Sequence, residues 1–367
     1  MNSSSSVPIK PFKTANIATS YTPILEEVVL SKKAWLILFI LLNLFLVEFI
    51  LLPHLCHSKN FFIKFATIAP EGSTWLKHLR GLDKNLRAKS GGQIGFRIYA
   101  GGIAGDELDV LRKIRIGQIH CAAFSGVGLA QILPMVRILD LPFLFRNYEE
   151  VDLVNRELQG FFSEQFRKKG FEFVAWAEVG NVYLFSKKVI RKVPDMRGLK
   201  IWTWYGDPIS KEFFSLMGTN PIPLTITDVT TALNTGMIDT FYAPPLGALA
   251  LQWYTYVKYM NSLPLAHATS AVLISSKYYQ KIPPNLSKML NDEFQKAMAD
   301  LTLDLRRQTE ESIKLIEKSG VEIIPLPPKA DLQSFYDTHN RVAQRLAGEI
   351  YPKELLGQVY DILKKNR

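Results

Sequence analysis

Cysteine is scarce. There are only two, Cys56 and Cys121. Cys56 closes an apolar segment and Cys121 falls in a predicted buried strand, so no disulfide between them is expected and a disulfide scaffold is excluded. The six histidines, His54, His57, His78, His120, His267 and His339, show no metal-ligand spacing, and no metal site is expected. A long basic run is also missing. The net charge is +10, but the surplus is scattered in pairs such as Lys168-Lys169, Lys187-Lys188, Arg306-Arg307 and Lys364-Lys365. That is a solvated surface and not a nucleic-acid stripe. Gly101-Gly-Ile-Ala-Gly105 lacks both the Gly-Lys-Ser/Thr ending of a phosphate loop and the spacing of a dinucleotide fingerprint. No Ser-His-Asp, Cys-His or paired-carboxylate arrangement is visible, so neither an enzyme nor a cofactor is expected.

What is present begins with a polar leader and an apolar run. Lys32-Lys33 precede Ala34 to Leu52, broken only by Asn43 and Glu48 and ended by Pro53. Positive charge before such a run marks either an export signal, cleaved after Ser58, or an uncleaved transmembrane anchor. Both place the rest of the chain outside the cytoplasm.

From residue 59 the pattern alternates. Phe61 to Ala69 reads as a strand, and Ser73 caps a helix with a stripe at Leu76, Leu79, Leu82 and Leu86. Ile94 to Ala100, a helix over Glu107 to Ile116, and a strand over Ile119 to Phe124 follow. Strand and helix alternating through short glycine joints give an α/β lobe with a mostly parallel sheet. Tyr148 to Lys168 is a helix, and two strands flank Gly180. A second lobe echoes the first: Gly117 lies eight positions after Asp109 and Gly236 eight after Asp228, and each glycine is followed by Ile two positions on and then a strand. Pro284 to Ser319 keeps helical spacing along much of its length. At 1.5 Å per residue it would run roughly 50 Å, far enough to cross both lobes.

The expected fold is therefore bilobed α/β, with a cleft between the lobes and a long helix bridging both. Residues 1–58 form the leader, with its apolar part at 34–52. Lobe I is 59–183 and lobe II is 184–268. Residues 269–305 return to lobe I and enter the bridging helix. Residues 306–367 hold the end of that helix and C-terminal helices packing on lobe II.

The stretch Gly198-Leu-Lys-Ile-Trp-Thr-Trp-Tyr-Gly-Asp-Pro208 lies at the crossing into the second lobe. Trp202 and Trp204 are two apart, so on a strand their rings share a face, toward the core or toward the cleft. Pro208 suits the first position of a helix, with Asp207 as a cap or a ligand contact. Ligands of such sheets sit beyond the carboxyl ends of the strands. That nominates Trp75, Phe124, Ser125, Asn181, Trp202, Trp204, Tyr205, Asp207, Tyr242 and Ala243 as ligand-binding residues. Core packing is the alternative for Phe124, and turn geometry for Asn181.

Several motifs occur in a telling order: Ser90-Gly-Gly-Gln93, Ala100-Gly-Gly102 before Gly105, Gly117-Gln-Ile-His120, Asp140-Leu-Pro-Phe-Leu-Phe145, Gly198-Leu-Lys-Ile201, and Thr231-Ala-Leu233 to Gly236-Met-Ile-Asp239. Together they cover roughly 61–325. On them the chain resembles the substrate-binding proteins of tripartite ATP-independent periplasmic (TRAP) transporters, the DctP family. The resemblance implies a periplasmic receptor that closes on a small solute and delivers it to membrane subunits, with no catalysis. A membrane-tethered sensor or interaction module is the other function class. In the family an arginine usually follows Gly-Leu-Lys-Ile and clamps a ligand carboxylate, and many members carry a second one twenty residues earlier. This chain has Trp202 and Val182 there. An apolar or amphipathic ligand is expected instead, and the Trp-Thr-Trp-Tyr-Gly-Asp-Pro version resembles the branch that works with a periplasmic tetratricopeptide-repeat partner.

Overall fold

The computed structural model describes residues 35–37, 39–41 and 60–367. The chain divides into two compact units, Met1–Ser58 and Lys59–Arg367. Of the apolar run 34–52, only 35–37 and 39–41 fall within the described residues, and they are helical. The remainder of the expected signal or anchor lies outside them. Among the described residues no helix is long and apolar enough to cross a membrane.

The second unit carries a sheet of ten strands. Its first half is β1 (Phe61–Ala66), β2 (Ile94–Tyr99) and β3 (Cys121–Ser125), joined by helices α1 (Thr74–Lys89) and α2 (Glu107–Arg115). β1 pairs in parallel with both β2 and β3. The short helix α3 (Gly126–Ala130), a 3-10 turn over Pro134–Asp140 and the helix α4 (Tyr148–Lys168) lead into β4 (Phe171–Ser186). The second half is β5 (Lys200–Trp204), α5 (Pro208–Leu216), β6 (Asn220–Leu224), α6 (Val229–Thr235), β7 (Thr240–Ala243), α7 (Pro245–Ala250) and β8 (Tyr259–Asn261). β9 (Ala266–Ser275) then returns to the first half and pairs antiparallel with β3. The strand order is β2-β1-β3-β9-β4-β7-β5-β6, with β8 beside β4.

β4 was expected as two strands around Gly180. It is one strand of 16 residues, because Gly180 takes φ +107 and absorbs an irregularity without ending the ladder. Ten of its first twelve residues pair with β9, Val174 and Val179 being skipped, and its last four pair with β7. The register slips between Glu178 and Gly180, leaving Val179 as the unpaired residue of the bulge. β6, Asn-Pro-Ile-Pro-Leu, is a strand that the sequence pattern did not disclose. Its two prolines are tolerated because it ends the strand order, where one side of the ladder is free.

Local chemistry explains the helix boundaries. The Ser73 hydroxyl accepts from Leu76 N, and Leu76, Leu79, Leu82 and Leu86 are all buried. Fully burying each such side chain contributes about 1.5–3 kcal/mol. The echo between the lobes holds in detail: Gly117 and Gly236 both take left-handed φ, +77 and +71, just beyond their helices. After the four-residue α8 (Ser276–Tyr279), α9 (Pro284–Lys318) runs 35 residues. Leu286 to Leu305 join the core of β1–β3, and Ile316 joins the core of β7 and Trp253, so the helix serves both halves. β10 (Glu322–Ile324) pairs with β8.

The C-terminal helices depart from expectation. α10 (Lys329–Leu346) packs on α5, but α11 (Lys353–Lys364) packs on α4. Arg345 reaches Glu212 at 2.9 Å, while Arg367 reaches Glu150 at 2.8 Å. They tie the α4 side to the α5 side and do not sit on the second lobe alone.

Candidate functional site

The carboxyl ends of β1, β3, β5 and β7 converge on a cavity of about 360 Å³. It is lined by Ile68 to Pro70 after β1, Ser125 to Val127 after β3, the end of β5, and Tyr242 to Pro244 after β7. This is where an α/β sheet offers loops and helix ends to a ligand, and the volume suits a small organic molecule.

Trp202 is both a core side chain and part of the cavity wall. It is 2% exposed, and its ring also lines the cavity. The ring stacks on Tyr242 at 5.2 Å between centroids and meets Trp253 edge-on at 5.4 Å. Its indole N–H donates to the Leu224 carbonyl of the neighbouring strand at 3.1 Å. Trp204 lies 5.8 Å from Trp202, on the same face. Trp75 lines the cavity from the first half and donates its indole N–H to the Glu178 carbonyl at 3.2 Å. Trp75 and Trp202 therefore offer the cavity apolar surface and no free donor. Burial, and then Asp207, push the Tyr242 hydroxyl above its ordinary pKa, so it stays protonated. The Tyr242 oxygen accepts from Trp204 N at 3.3 Å.

The polar part of the lining is a buried ion trio. Arg137, in the 3-10 turn, donates to Asp140 Oδ2 at 2.5 Å and to Asp207 Oδ1 at 2.7 Å. Asp207 Oδ1 also accepts from Ile209 N, so Asp207 caps α5 as well as lining the cavity. Asp140 Oδ1 accepts from Thr269 N at 2.8 Å. Burial alone would lower the pKa of Arg137, but Asp207 and then Asp140 outweigh it and hold the guanidinium above its ordinary value. Burial raises the Asp140 carboxyl, opposed by Arg137 and the Thr269 N–H. His267 completes the lining. Burial, reinforced by Arg306, pushes it down to about 3, so it is neutral near pH 7. Its Nδ1 lies 3.2 Å from Asn181 Oδ1.

Of the sequence-derived candidates, Trp75, Ser125, Trp202, Trp204, Asp207, Tyr242 and Ala243 line the cavity. Three do not. Phe124 is fully buried in the core, because alternation along β3 turns it away from the mouth. Tyr205 is 70% exposed at the turn after β5 and points away from the lining. Asn181 sits behind the wall and holds His267. The Ser125 hydroxyl is already engaged, donating to Glu107 Oε2 at 2.7 Å. Arg137, Asp140 and His267 were not foreseen. Asp140 belongs to a quoted motif, but nothing in the sequence pairs Arg137 with Asp207, seventy positions away. Among the described residues no group of three His, Cys, Asp or Glu is placed to hold a metal ion.

Comparison with known proteins fits this geometry. The family model described as bacterial extracellular solute-binding protein, family 7 (DctP), matches residues 65–349. The chain belongs to the DctP family. One DctP relative is the 2,3-diketo-L-gulonate-binding periplasmic protein YiaO of Escherichia coli, 23% identical, covering 65% of this chain and 73% of that one. Another is the sialic acid-binding periplasmic protein SiaP of Vibrio cholerae, 21% identical, covering 71% of this chain and 82% of its own. A TRAP periplasmic solute-binding protein from Ochrobactrum anthropi has the same fold, with TM-score 0.78 and 24% identity over 84% of this chain and 97% of that one. So does the sugar acid binding protein DctPAm from Advenella mimigardefordensis, solved with galactonate, with TM-score 0.77 and 20% identity over 84% and 99%. The fold is thus that of the TRAP periplasmic binding proteins, a bilobed α/β architecture. Members of the DctP family are extracytoplasmic receptors for small molecules that serve TRAP membrane subunits. They are not enzymes, and this chain is one of these receptors. Both positions at which the resemblance places arginine, 182 and 202, line the cavity here as valine and tryptophan.

Proposed function

We propose that this DctP receptor takes an apolar or amphipathic solute in place of a carboxylate clamped by arginine. One observation carries the reading. Among the described residues, the cavity has a single cationic side chain, Arg137, and Asp140 and Asp207 already grip it. A two-pronged arginine–carboxylate contact needs a free guanidinium edge, and a ligand carboxylate would enter a trio that already holds two negative charges and one positive. The galactonate and D-glucuronate carried by structural neighbours are sugar acids; this cleft is built for something else.

The sheet halves support taking 59–183 as lobe I and 184–268 as lobe II, with β9 and α9 returning across both. We place the chain in the periplasm, exported or anchored through residues 34–52. Delivery is to TRAP membrane subunits. A tetratricopeptide-repeat protein is proposed as a further partner, on the Trp-Thr-Trp-Tyr-Gly-Asp-Pro stretch alone.

The test is native mass spectrometry of the full-length protein, gently purified from an exporting host, with the bound molecule extracted and identified. An apolar or amphipathic species is expected. A sugar acid or other small carboxylate would overturn the ligand class and leave the family assignment standing.

A further inference from the structure

The ion trio leaves one acceptor uncovered. Asp140 Oδ1 takes the Thr269 N–H and its Oδ2 takes Arg137. Asp207 Oδ1 takes Arg137 and the Ile209 N–H. Asp207 Oδ2 has no donor among the described residues, although Asp207 is only 7% exposed and lines the cavity. A carboxylate oxygen can only accept, and Asp207 Oδ2 is not among the fully buried unpartnered atoms, so it is open to a donor arriving in the cavity. With both carboxylates ionised the trio carries a net −1. Trp202, Trp204 and Tyr242 stand beside it as aromatic walls, which favour a positive or donor-bearing group over a negative one.

The geometry points to a ligand whose polar end is a hydrogen-bond donor, a hydroxyl or an ammonium, docked on Asp207 Oδ2 with its apolar body against Trp75 and Trp204. This rests on the reading of the cleft as a receptor for an apolar solute and adds the headgroup. A carboxylate head would set acceptor against acceptor and negative against negative. A hydroxyl completes the shell of Asp207, and an ammonium also neutralises the trio.

The experiment is calorimetric titration of the full-length protein at pH 7 with four compounds that share one body: phenylpropylammonium, phenylpropanol, its methyl ether and phenylpropionate. The ammonium or the alcohol should bind at least about tenfold tighter than the ether, which cannot donate. A preference for the ammonium over the alcohol identifies an amine, and parity identifies a hydroxyl. Asp207→Asn should erase any ammonium preference, with a cooperative thermal transition as the check on folding. Equal binding of ether and alcohol, with the ammonium no tighter, would overturn the headgroup assignment and leave the apolar receptor intact. Tightest binding by phenylpropionate would overturn the receptor reading itself. Failure of both donor-bearing compounds to bind would also overturn the inference.

Discussion

Arg137 and Asp207 meet at 2.7 Å, with each side chain less than a tenth exposed, at the floor of the cavity. The guanidinium also holds Asp140, so removing it strands two buried carboxylates. Arg137→Met should cost about 3–5 kcal/mol in urea unfolding. Adding Asp207→Asn to that variant should recover part of the loss, because it removes one of the orphaned charges. An unchanged midpoint in Arg137→Met would mean that the trio is not a stabilising unit.

Gly126 bears on the same trio from α3. A Cβ there would collide with Asp140 Oδ2 and come within 2.8 Å of Arg137 Nη1. Gly126→Ala should therefore destabilise by about 1–3 kcal/mol and weaken ligand binding, read by thermal melting and by retention of the native ligand in mass spectra. A variant as stable as the parent would show that the pair can shift at no cost.

Trp202→Arg places a charge where a ring stacks on Tyr242 and abuts Trp253. A loss of about 3–5 kcal/mol, the range for large core truncations, is expected, together with loss of the native ligand. A folded variant that keeps the ligand would return Trp202 to a purely structural role.

Two buried histidines set an acid limit. Burial and Arg306 push His267 down to about 3. Burial pushes His339 down to about 4, opposed by its hydrogen bond to the Pro142 carbonyl. Above pH 6.5 both imidazoles are neutral in either state. Below it the unfolded chain takes up protons that the folded chain refuses, so stability falls as pH drops from about 6.5 toward 4. The slope is about 1.4 kcal/mol per pH unit for each group. His339→Asn, which keeps a donor toward Pro142, should flatten that slope by about one proton in urea titrations at pH 6.5 and 4.5. An unaltered slope would exclude His339 from the acid response.

The legible parts of this molecule were local. The two-residue spacing of Trp202 and Trp204 gives a shared face, and the structure keeps it. Ser73 as a cap, the leucine stripe of α1 and the Asp-to-Gly echo all rest on periodicities of a few residues, and they survive intact. What escaped depended on distance or on a single backbone angle. Arg137 has no local partner other than Asp140, and its link to Asp207 exists only once β5 and the 3-10 turn are packed. Gly180 reads as a break, yet its positive φ lets β4 continue. Tyr205 follows two cleft aromatics in sequence, but one position after Trp204 it is out of step with their shared face and stands exposed at the turn after the strand.

β4 and β9 run as one antiparallel ribbon from one half of the sheet into the other, interrupted by register shifts at Phe173/Ala175 and Glu178/Gly180. Val179, the residue the second of these shifts leaves unpaired, is also part of the cavity wall. A solute in the cavity therefore lies against the ribbon that joins the two halves of the sheet at a point where its ladder is interrupted.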